Sequence, residues 1–176
     1  HTSKVSVPDD LVVRQHLTRA QDALEQGDAP RAIRTWQDIL DRLSGKVVES
    51  HRAARMGTET DAVIDGDRFQ GVRDRVMELI RALPGQGLLQ YRKMMEPKAR
   101  RLLADGIAKE DEGLLRECAR RYLLTDSGRG AHFALIDLLI EHGRFEEARV
   151  AAKRLRHNLT AAELAGPIGI QILARE

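Results

Sequence analysis

The stretch that decides the fold runs from Ala99 to His157 and reads ARRLLADGIAKEDEGLLRECARRYLLTDSGRGAHFALIDLLIEHGRFEEARVAAKRLRH. Its apolar residues recur every three or four positions, which is the spacing of α-helices that bury one side. Turn signals at Asp111 and Gly143 divide the stretch into two consecutive helical hairpins. These turns lie 32 residues apart, from position 111 to position 143, which is the length of one unit in a helical-repeat protein.

The second of these hairpins carries two apolar stripes. Its leading helix places the following residues on one side: Ala131, Leu135, Leu138 and His142. The second helix of the hairpin has a predicted buried stripe, formed by Phe145, Ala148, Ala152 and Leu155. Because both stripes follow helical spacing, the two helices are expected to pack against each other.

An earlier hairpin, between positions 9 and 44, repeats this plan. It turns at Gly27, and Ala32 follows that glycine by five positions, as Ala148 follows Gly143. A small residue at this place lets two helices approach closely. The chain is therefore expected to be all-α, with helical hairpins stacked as a short right-handed solenoid of the tetratricopeptide-like kind.

The predicted domain organisation is one continuous domain with an interruption. Residues 1–8 are interpreted as an extended lead or the remnant of an expression tag, and residues 9–44 as the first hairpin. An irregular insertion is predicted at 45–71, with a loop or a short β-hairpin near 45–70, because glycines and two short β-leaning pieces occur there. The helical-repeat region is predicted to occupy 72–176.

Three aspartates in this insertion, Asp61, Asp65 and Asp67, suggest a calcium-binding loop. Their spacing lacks the alternating ligands and the closing glutamate of an EF-hand. A solvated turn is therefore the favoured interpretation.

Two further local signals concern helix boundaries. Pro97 is expected to kink the helix or to restart it. Thr160 and Glu163 have the spacing of a capping box, which begins a helix. Gly166 and Pro167 follow closely, so this last helix is expected to be short and to be followed by a second short, apolar helix.

Composition favours helix-on-helix packing over a sheet. Aromatic residues make up 3% of the chain and hydrophobic residues 42%, so Leu, Ala, Val and Ile must fill the interior. The 29 basic and 27 acidic residues nearly cancel, to a net charge of +2. This balance indicates a mixed, solvated surface and disfavours a strong field for nucleic acid or membranes.

Cysteine usage and hydropathy argue against a disulfide-stabilised protein and against a membrane-spanning one. The single cysteine, Cys118, cannot form an internal disulfide, and its place on an apolar helix face indicates a small buried hydrophobe. No uninterrupted apolar run approaches the ~20 residues that cross a bilayer, and Asp137 breaks the most apolar segment, 134–140. No signal peptide is present, although a targeting sequence can precede a chain that starts at His1.

Three segments of the chain resemble a known family. They are LPGQGLLQYR (83–92), EPKARRLL (96–103) and RYLLTDSG (121–128). In this order they are similar to the amino-terminal helical region of large bacterial proteins that carry a PQQ-like β-propeller further along. In that family a hairpin with a Gly-x-x-x-x-Ala turn follows, which here is Gly143 to Ala148. The resemblance covers roughly residues 72–157, with a looser fit at 11–43.

This resemblance implies a tetratricopeptide-like scaffold in a secreted or envelope-attached protein, ahead of a propeller. A periplasmic or envelope-associated location would follow. The general tetratricopeptide pattern has Trp and Gly-Tyr in its first helix, whereas the corresponding residues here are His16, Ala20 and Ala23, then His132, Ile136 and Leu139. This departure leaves the fold class intact but removes the basis for a peptide-binding groove of the usual kind.

The sequence contains no recognisable catalytic, cofactor-binding or metal motif. None of the six histidines forms an H-E-x-x-H pair or lies beside a second ligand at helical spacing; they are His1, His16, His51, His132, His142 and His157. No Gly-x-Ser-x-Gly elbow is present, and Gly85-Gln86-Gly87 lacks the strand and the lysine of a phosphate-binding loop. We therefore expect no enzyme, no cofactor and no metal site.

Function is expected to reside in surfaces that bind a protein or the carboxy-terminal part of the same polypeptide. Helical phase places several polar residues on the predicted concave helices. These are the candidate partner-binding residues: Arg14, His16, Arg92, His132 and Asp137.

The alternative is that an arginine-rich helical stripe binds nucleic acid or another polyanion. Its candidates lie on two neighbouring predicted helices: Lys98, Arg100, Arg101, Arg116, Arg120 and Arg121. Carboxylates in the same hairpin, and the scarcity of aromatic residues that could stack on bases, disfavour this alternative.

Overall fold

The computed structural model describes residues 8–54 and 72–173, with side chains at 12–42 and 72–172. Within these ranges all regular secondary structure is helical, which confirms the predicted all-α class. The helices are α1 (Pro8–Glu25), α2 (Ala29–Ala54), α3 (72–81), α4 (Gly87–Ala108), α5 (Glu112–Arg121), α6 (Asp126–Glu141), α7 (Phe145–His157), α8 (Ala161–Leu164) and α9 (Pro167–Leu173). Their stacking as a tetratricopeptide-like solenoid stays a prediction.

Helix α2 extends past the predicted end of the first hairpin. It continues to Ala54, so the irregular insertion predicted at 45–71 is wrong for residues 45–54. Gly45 lies inside the helix because one interior glycine costs only about 1 kcal/mol relative to alanine, which is too little to end a long helix. The remainder, 55–71, with the predicted β-hairpin and the three aspartates, lies outside the described residues, as do residues 1–7 of the predicted lead.

The chain divides into two compact units where the sequence predicts one continuous domain, and these are His1–Tyr91 and Arg92–Glu176. The division falls within α4. The Tyr91 hydroxyl donates to the Gln37 side chain at 3.0 Å in the first unit. The next residue, Arg92, donates from Nε to the Leu124 carbonyl at 3.0 Å in the second. Because neighbouring helical residues point about 100° apart, one helix serves two cores, which apolar periodicity alone does not reveal.

Helix α4 continues through Pro97, so the restart considered there does not occur. A proline removes the hydrogen bond to the carbonyl four residues earlier, which here belongs to Lys93. Both residues are exposed. Water can therefore bond to that carbonyl, and the helix is not forced to end.

In the first unit α1 and α2 pack against each other. Ala20, Ala23 and Ala32 are at most 1% exposed, and their small side chains let the two helices approach closely. Larger buried side chains fill the space beside these alanines: Ile33, Trp36, Ile39 and Leu40. Ala32, the small residue expected to let the two helices approach closely, is thus buried.

In the second unit α6 packs against both α5 and α7. The three helices share one apolar core, to which all of them contribute: Leu115, Leu135, Ile136, Leu138, Leu139, Ala148, Ala151 and Ala152. Alanines form the buried side of α7, so this helix lies close to α6.

Three of the turns between helices have the same backbone geometry. A residue with positive φ follows the helix in each, namely Gly27 (φ 76°), Glu110 (φ 49°) and Gly143 (φ 71°). The N–H of the next residue bonds to the carbonyl five residues earlier, at 2.8–2.9 Å. This Schellman arrangement satisfies carbonyls that a helix end leaves open, and it folds the chain back at the predicted positions.

The end of the second unit confirms the predicted capping box. The Thr160 hydroxyl accepts the N–H of Glu163 at 3.3 Å, and the Glu163 carboxylate accepts the N–H of Thr160 at 2.9 Å. Helix α8 ends at Leu164 and α9 follows at once. Gly169 permits this succession, because a Cβ atom there would overlap the carbonyl oxygen of Leu164.

Candidate interaction surface

A network of four charged side chains joins α5 to the start of α7. The Glu112 carboxylate accepts hydrogen bonds from Arg116 and from Arg144, with shortest distances of 2.5 Å. Arg144 also donates to Glu147 at 2.5 Å, and Arg116 lies 3.8 Å from the same carboxylate. Each cation therefore lies between two carboxylates. The network connects the hairpin that contains α5 to the hairpin that contains α7.

Both carboxyl groups of this network have pKa values below the ordinary one. Burial raises the pKa of Glu112, but the hydrogen bonds and charges of Arg116 and Arg144 outweigh burial and lower it. The hydrogen bond from Arg144 lowers the pKa of Glu147. Hydrogen bonds to Glu147 and Glu112 in turn raise the pKa of Arg144. Glu112, Glu147 and Arg144 are consequently charged at neutral pH.

A glutamate from α4 holds the N-terminus of α6. The Glu96 carboxylate accepts the backbone N–H groups of Asp126 at 3.0 Å and Ser127 at 3.2 Å, and the Ser127 hydroxyl at 2.5 Å. The Thr125 hydroxyl accepts the N–H of Gly128 at 3.0 Å. A negative charge at this end of a helix is favourable because the open N–H groups carry partial positive charge.

Arg129 makes a similar connection between α6 and α8. Its side chain is 11% exposed, and it pairs with Asp126 and, at 3.5 Å, with Glu163. Glu163 is also the carboxylate of the capping box. A guanidinium group with so little exposure requires such partners, because an unpaired charge there would lose its hydration without compensation.

Comparison of the chain with protein-family models, with curated proteins and with solved structures gives no match. The resemblance to the propeller proteins stays a prediction. Function is therefore inferred from the position and exposure of the charged and apolar side chains.

The described ranges, 8–54 and 72–173, bear on metal binding and on membrane spans. Within them no group of three or more His, Cys, Asp or Glu side chains is arranged to hold a metal ion. None of the helices described there combines the length and the apolar character needed to cross a bilayer.

The predicted partner-binding residues fall in both units and differ in exposure. Arg14 is exposed, and His16 is half-buried with its Nδ1 atom 2.8 Å from the Val12 carbonyl. In the second unit Arg92 and Asp137 are half-buried, and the guanidinium of Arg92 is engaged by a carbonyl of its own unit. The exposure of Arg14 leaves that side chain accessible to a partner.

His132 is buried, with 8% of its surface exposed. Helical phase alone places it on the predicted concave face. Because α6 packs against both α5 and α7, most of the surface of this helix is covered. His132 therefore lies inside the second unit and not on an accessible binding face.

The structure separates the predicted arginine stripe into two groups. Three members are exposed on α4: Lys98, Arg100 and Arg101. Three members are half-buried on α5: Arg116, Arg120 and Arg121. Arg121 pairs with Glu117 at 2.6 Å, and Arg116 belongs to the network with Glu112. Arg116 and Arg121 thus serve ion pairs within the unit, and both pair with a carboxylate four residues earlier on α5.

Phe145 corrects one of the predicted stripes. The spacing of apolar residues places it on the buried side of α7, but its side chain is 65% exposed. It is the first residue of the helix, and side chains in a helix tilt toward the N-terminus. At the first position of a helix, periodicity alone cannot tell whether another element covers the side chain.

Phe145 shares one side of α7 with three exposed cations, Arg149, Lys153 and Arg156. We name these four residues the α7 outer face. Sequence motifs do not identify this surface, although cations four and three positions apart on a helix are a detectable signal. The apolar stripe formed by Ala148, Ala152 and Leu155 on the adjacent side of α7 is the stronger pattern, and it assigns Phe145 to the buried group.

Cys118 is fully buried, which confirms the interpretation of this residue as a small hydrophobe. Burial, followed by the negative charges of Glu96 and Glu117, raises the pKa of the thiol to about 12. The sulfur lies 3.3 Å from the Ala99 carbonyl, to which the thiol donates. The side chain is therefore protonated at neutral pH and acts in packing.

Proposed function

We propose that this chain is a non-catalytic helical-repeat scaffold whose surfaces bind another protein or another domain of the same polypeptide. The observation that carries the proposal is the ion pair between Glu112 and Arg144. It joins residues that follow equivalent turns in successive hairpins, as expected for hairpins that stack in register. A tetratricopeptide-like stack of this kind would leave the outer sides of its helices for a partner.

Amine-directed cross-linking of the natural full-length gene product tests this function. Four lysines are exposed on the described helices or their turns: Lys93, Lys98, Lys109 and Lys153. We expect mass spectrometry to find cross-links from at least one of them to a second protein or to residues outside 1–176. Cross-links confined to residues 1–176 would contradict the proposal.

The resemblance supports a finer proposal, that the chain is the amino-terminal module of a bacterial β-propeller protein in the periplasm or envelope. The full gene sequence tests it. We expect a signal peptide before His1 and PQQ-like propeller repeats after Glu176. A gene product without propeller repeats would remove this finer proposal and leave the scaffold function standing.

Polyanion binding is the second candidate, because Lys98, Arg100 and Arg101 are exposed and form no ion pair with any described residue. Phosphate contacts by such groups are weakened strongly by salt. The test is the affinity for fluorescent duplex DNA, measured at low and at moderate salt. A steep loss of affinity with salt, absent in a K98E/R100E/R101E variant, would support this candidate. No binding at low salt removes it.

A further inference from the structure

Three helices of this protein follow the same type of turn, and their positions can therefore be compared directly. The first helical residues are Ala29 in α2, Glu112 in α5 and Phe145 in α7. Three positions later each helix has a buried residue, namely Ala32, Leu115 and Ala148. Because α2 packs on α1, α7 packs on α6, and Leu115 lies against Gly106 of α4, these buried residues mark the same side of each helix.

A second side of these helices differs between them. It contains the first residue and the positions four, eight and eleven residues later. In α2 the last three of these positions are Ile33, Gln37 and Leu40, all at most 3% exposed. The Tyr91 hydroxyl donates to Gln37 on this side. The corresponding side of α2 is therefore covered within its own unit.

The same side of α5 is covered in part. Glu112 and Arg116 stand at the first position and four residues later, with 28% and 30% of their side chains exposed. Arg144 and Glu147 from the next hairpin contact them. Thus in α2 and in α5 another element of the same unit packs over this side.

In α7 the corresponding side is the α7 outer face, and its four side chains are exposed. Phe145 is 65% exposed, and Arg149, Lys153 and Arg156 are exposed behind it. The cations lie within one stripe about 10 Å long, given the 1.5 Å rise per residue. An aromatic ring followed by three cations is complementary to an apolar residue followed by carboxylates.

The helix dipole does not account for this stripe. Cations are favourable in the last turn of a helix, which explains Arg156. Arg149 and Lys153 lie further from the end. Among the described residues, Arg149 pairs with Glu146 of its own helix, in an exposed pair at 2.8 Å. Such exposed pairs contribute little free energy, so a partner carboxylate can replace Glu146.

A protein partner fits this surface better than a bilayer does. A helix that lies in a membrane interface needs a continuous apolar side, and in α7 that side is packed against α6, as the buried Ala148, Ala152 and Leu155 show. Phe145 is the one large apolar residue of the α7 outer face. It suits a single pocket or residue on a protein, and it cannot anchor the helix in lipid.

We propose that the α7 outer face docks an acidic amphipathic helix of a partner protein, with carboxylates over Arg149, Lys153 and Arg156 and an apolar side chain against Phe145. This inference rests on the proposed scaffold function and specifies one of its surfaces. The partner helix would pack over α7 as Arg144 and Glu147 pack over α5.

Fluorescence anisotropy with a designed peptide tests the inference. The probe is a labelled peptide of about 20 residues, long enough to form a helix, with Glu at i, i+4 and i+7 and a leucine one turn before them. The control peptide has Gln at the three Glu positions. We expect the acidic peptide to bind at least about tenfold more tightly than the control, because the control lacks the three negative charges that attract the cations of the α7 outer face.

Variants of the protein locate the binding surface. We expect R149E/K153E to weaken binding of the acidic peptide by about tenfold or more, and F145A to weaken it by about fivefold, since buried aromatic anchors dominate many interfaces. The matched control is K98E/R101E on α4, which also reverses two exposed cations and should leave the affinity unchanged. All replaced side chains are exposed, so unchanged circular dichroism spectra are expected.

Three results would overturn the inference: equal binding of the acidic and the Gln peptide, no binding of either, or equal losses in the α7 and α4 variants. Capture by phosphatidylserine vesicles or by duplex DNA, abolished by R149E/K153E and without peptide binding, would also overturn it. Cross-links to a protein partner from Lys93 or Lys98 but not from Lys153 would sustain the scaffold function while contradicting this surface.

Discussion

Helices α2 and α7 begin after the same type of turn, but the corresponding sides of the two helices differ in exposure. Each follows a glycine with positive φ, Gly27 or Gly143, and each packs on the preceding helix through a buried alanine. Four residues into α2 stands Ile33, fully buried, and four residues into α7 stands Arg149, exposed. The comparison shows that the turn fixes which side a helix presents to its hairpin partner, while a second side depends on what packs over it.

The largest expected change in stability comes from exchanging the residue types at the equivalent positions Ile33 in α2 and Arg149 in α7. We expect Ile33→Arg to reduce the free energy of unfolding by more than about 3 kcal/mol, because it removes a buried side chain and inserts a charge. Arg149→Ile should change it by less than about 0.5 kcal/mol, since the site is exposed. Urea unfolding followed by circular dichroism measures both variants, and the fluorescence of Trp36, the one tryptophan of the chain, reports separately on the first unit. Similar losses in the two variants would contradict the difference between α2 and α7.

The next largest change in stability is expected at the turn residues with positive φ, which precede the helices compared above. We expect Gly143→Ala to cost about 1–2 kcal/mol, because alanine is strained at positive φ. The matched change is Glu110→Gly at the equivalent position with φ 49°, which should stabilise by up to about 1 kcal/mol. Thermal unfolding followed by circular dichroism gives both values. If both changes destabilise, the two turns are not equivalent.

Tyr91→Phe examines how the second side of α2 is covered. The hydroxyl is buried and donates to Gln37 at 3.0 Å, and Gln37 in turn donates to Asp41 at 2.8 Å. We expect a loss of about 1 kcal/mol, the usual value of a buried hydrogen bond, measured from the Trp36 transition in urea. Tyr122→Phe in the second unit is the control, and it should leave that transition unchanged.

The smallest effect is the pH dependence of the network that covers α5. The folded-state pKa values of Glu112 and Glu147 are lowered from the ordinary value of 4.5. Their contribution is therefore fully present above pH 4.5 and is lost as pH falls through the lower, folded-state values. Glu112→Gln should cost about 1 kcal/mol or less at neutral pH and should flatten the loss of stability below pH 4.5. An unchanged acid profile, measured by thermal unfolding between neutral pH and pH 3, would show that this network adds no stability.

The fold could be predicted from the sequence wherever a local signal was sufficient. Gly27 and Gly143 mark turns because positive φ suits glycine, and Thr160 with Glu163 marks a helix start because their side chains cap open N–H groups. Gly45 marked a boundary falsely, since α2 continues to Ala54. A weak breaker is overridden when the residues around it favour the helix, and local sequence does not report that balance.

The candidate surfaces were less predictable than the helices. Arg116 and Lys98 are both cations on helices, yet Arg116 is held by two carboxylates and Lys98 is exposed. His132 has the helical phase of a surface residue and is buried. Whether a polar side chain is available to a partner depends on the neighbouring helix, which is encoded elsewhere in the chain.

The sequence by itself determined the all-helical class, the turns and the side on which each hairpin closes. These follow from interactions between residues that are at most a few positions apart, such as the Schellman turns and the three-to-four residue apolar spacing. Only the tertiary structure decided that α4 divides its residues between two units and that Phe145 and Arg149 are exposed. Those outcomes depend on which distant side chains exclude water from a given side of a helix, and periodicity along the chain carries no record of that contact.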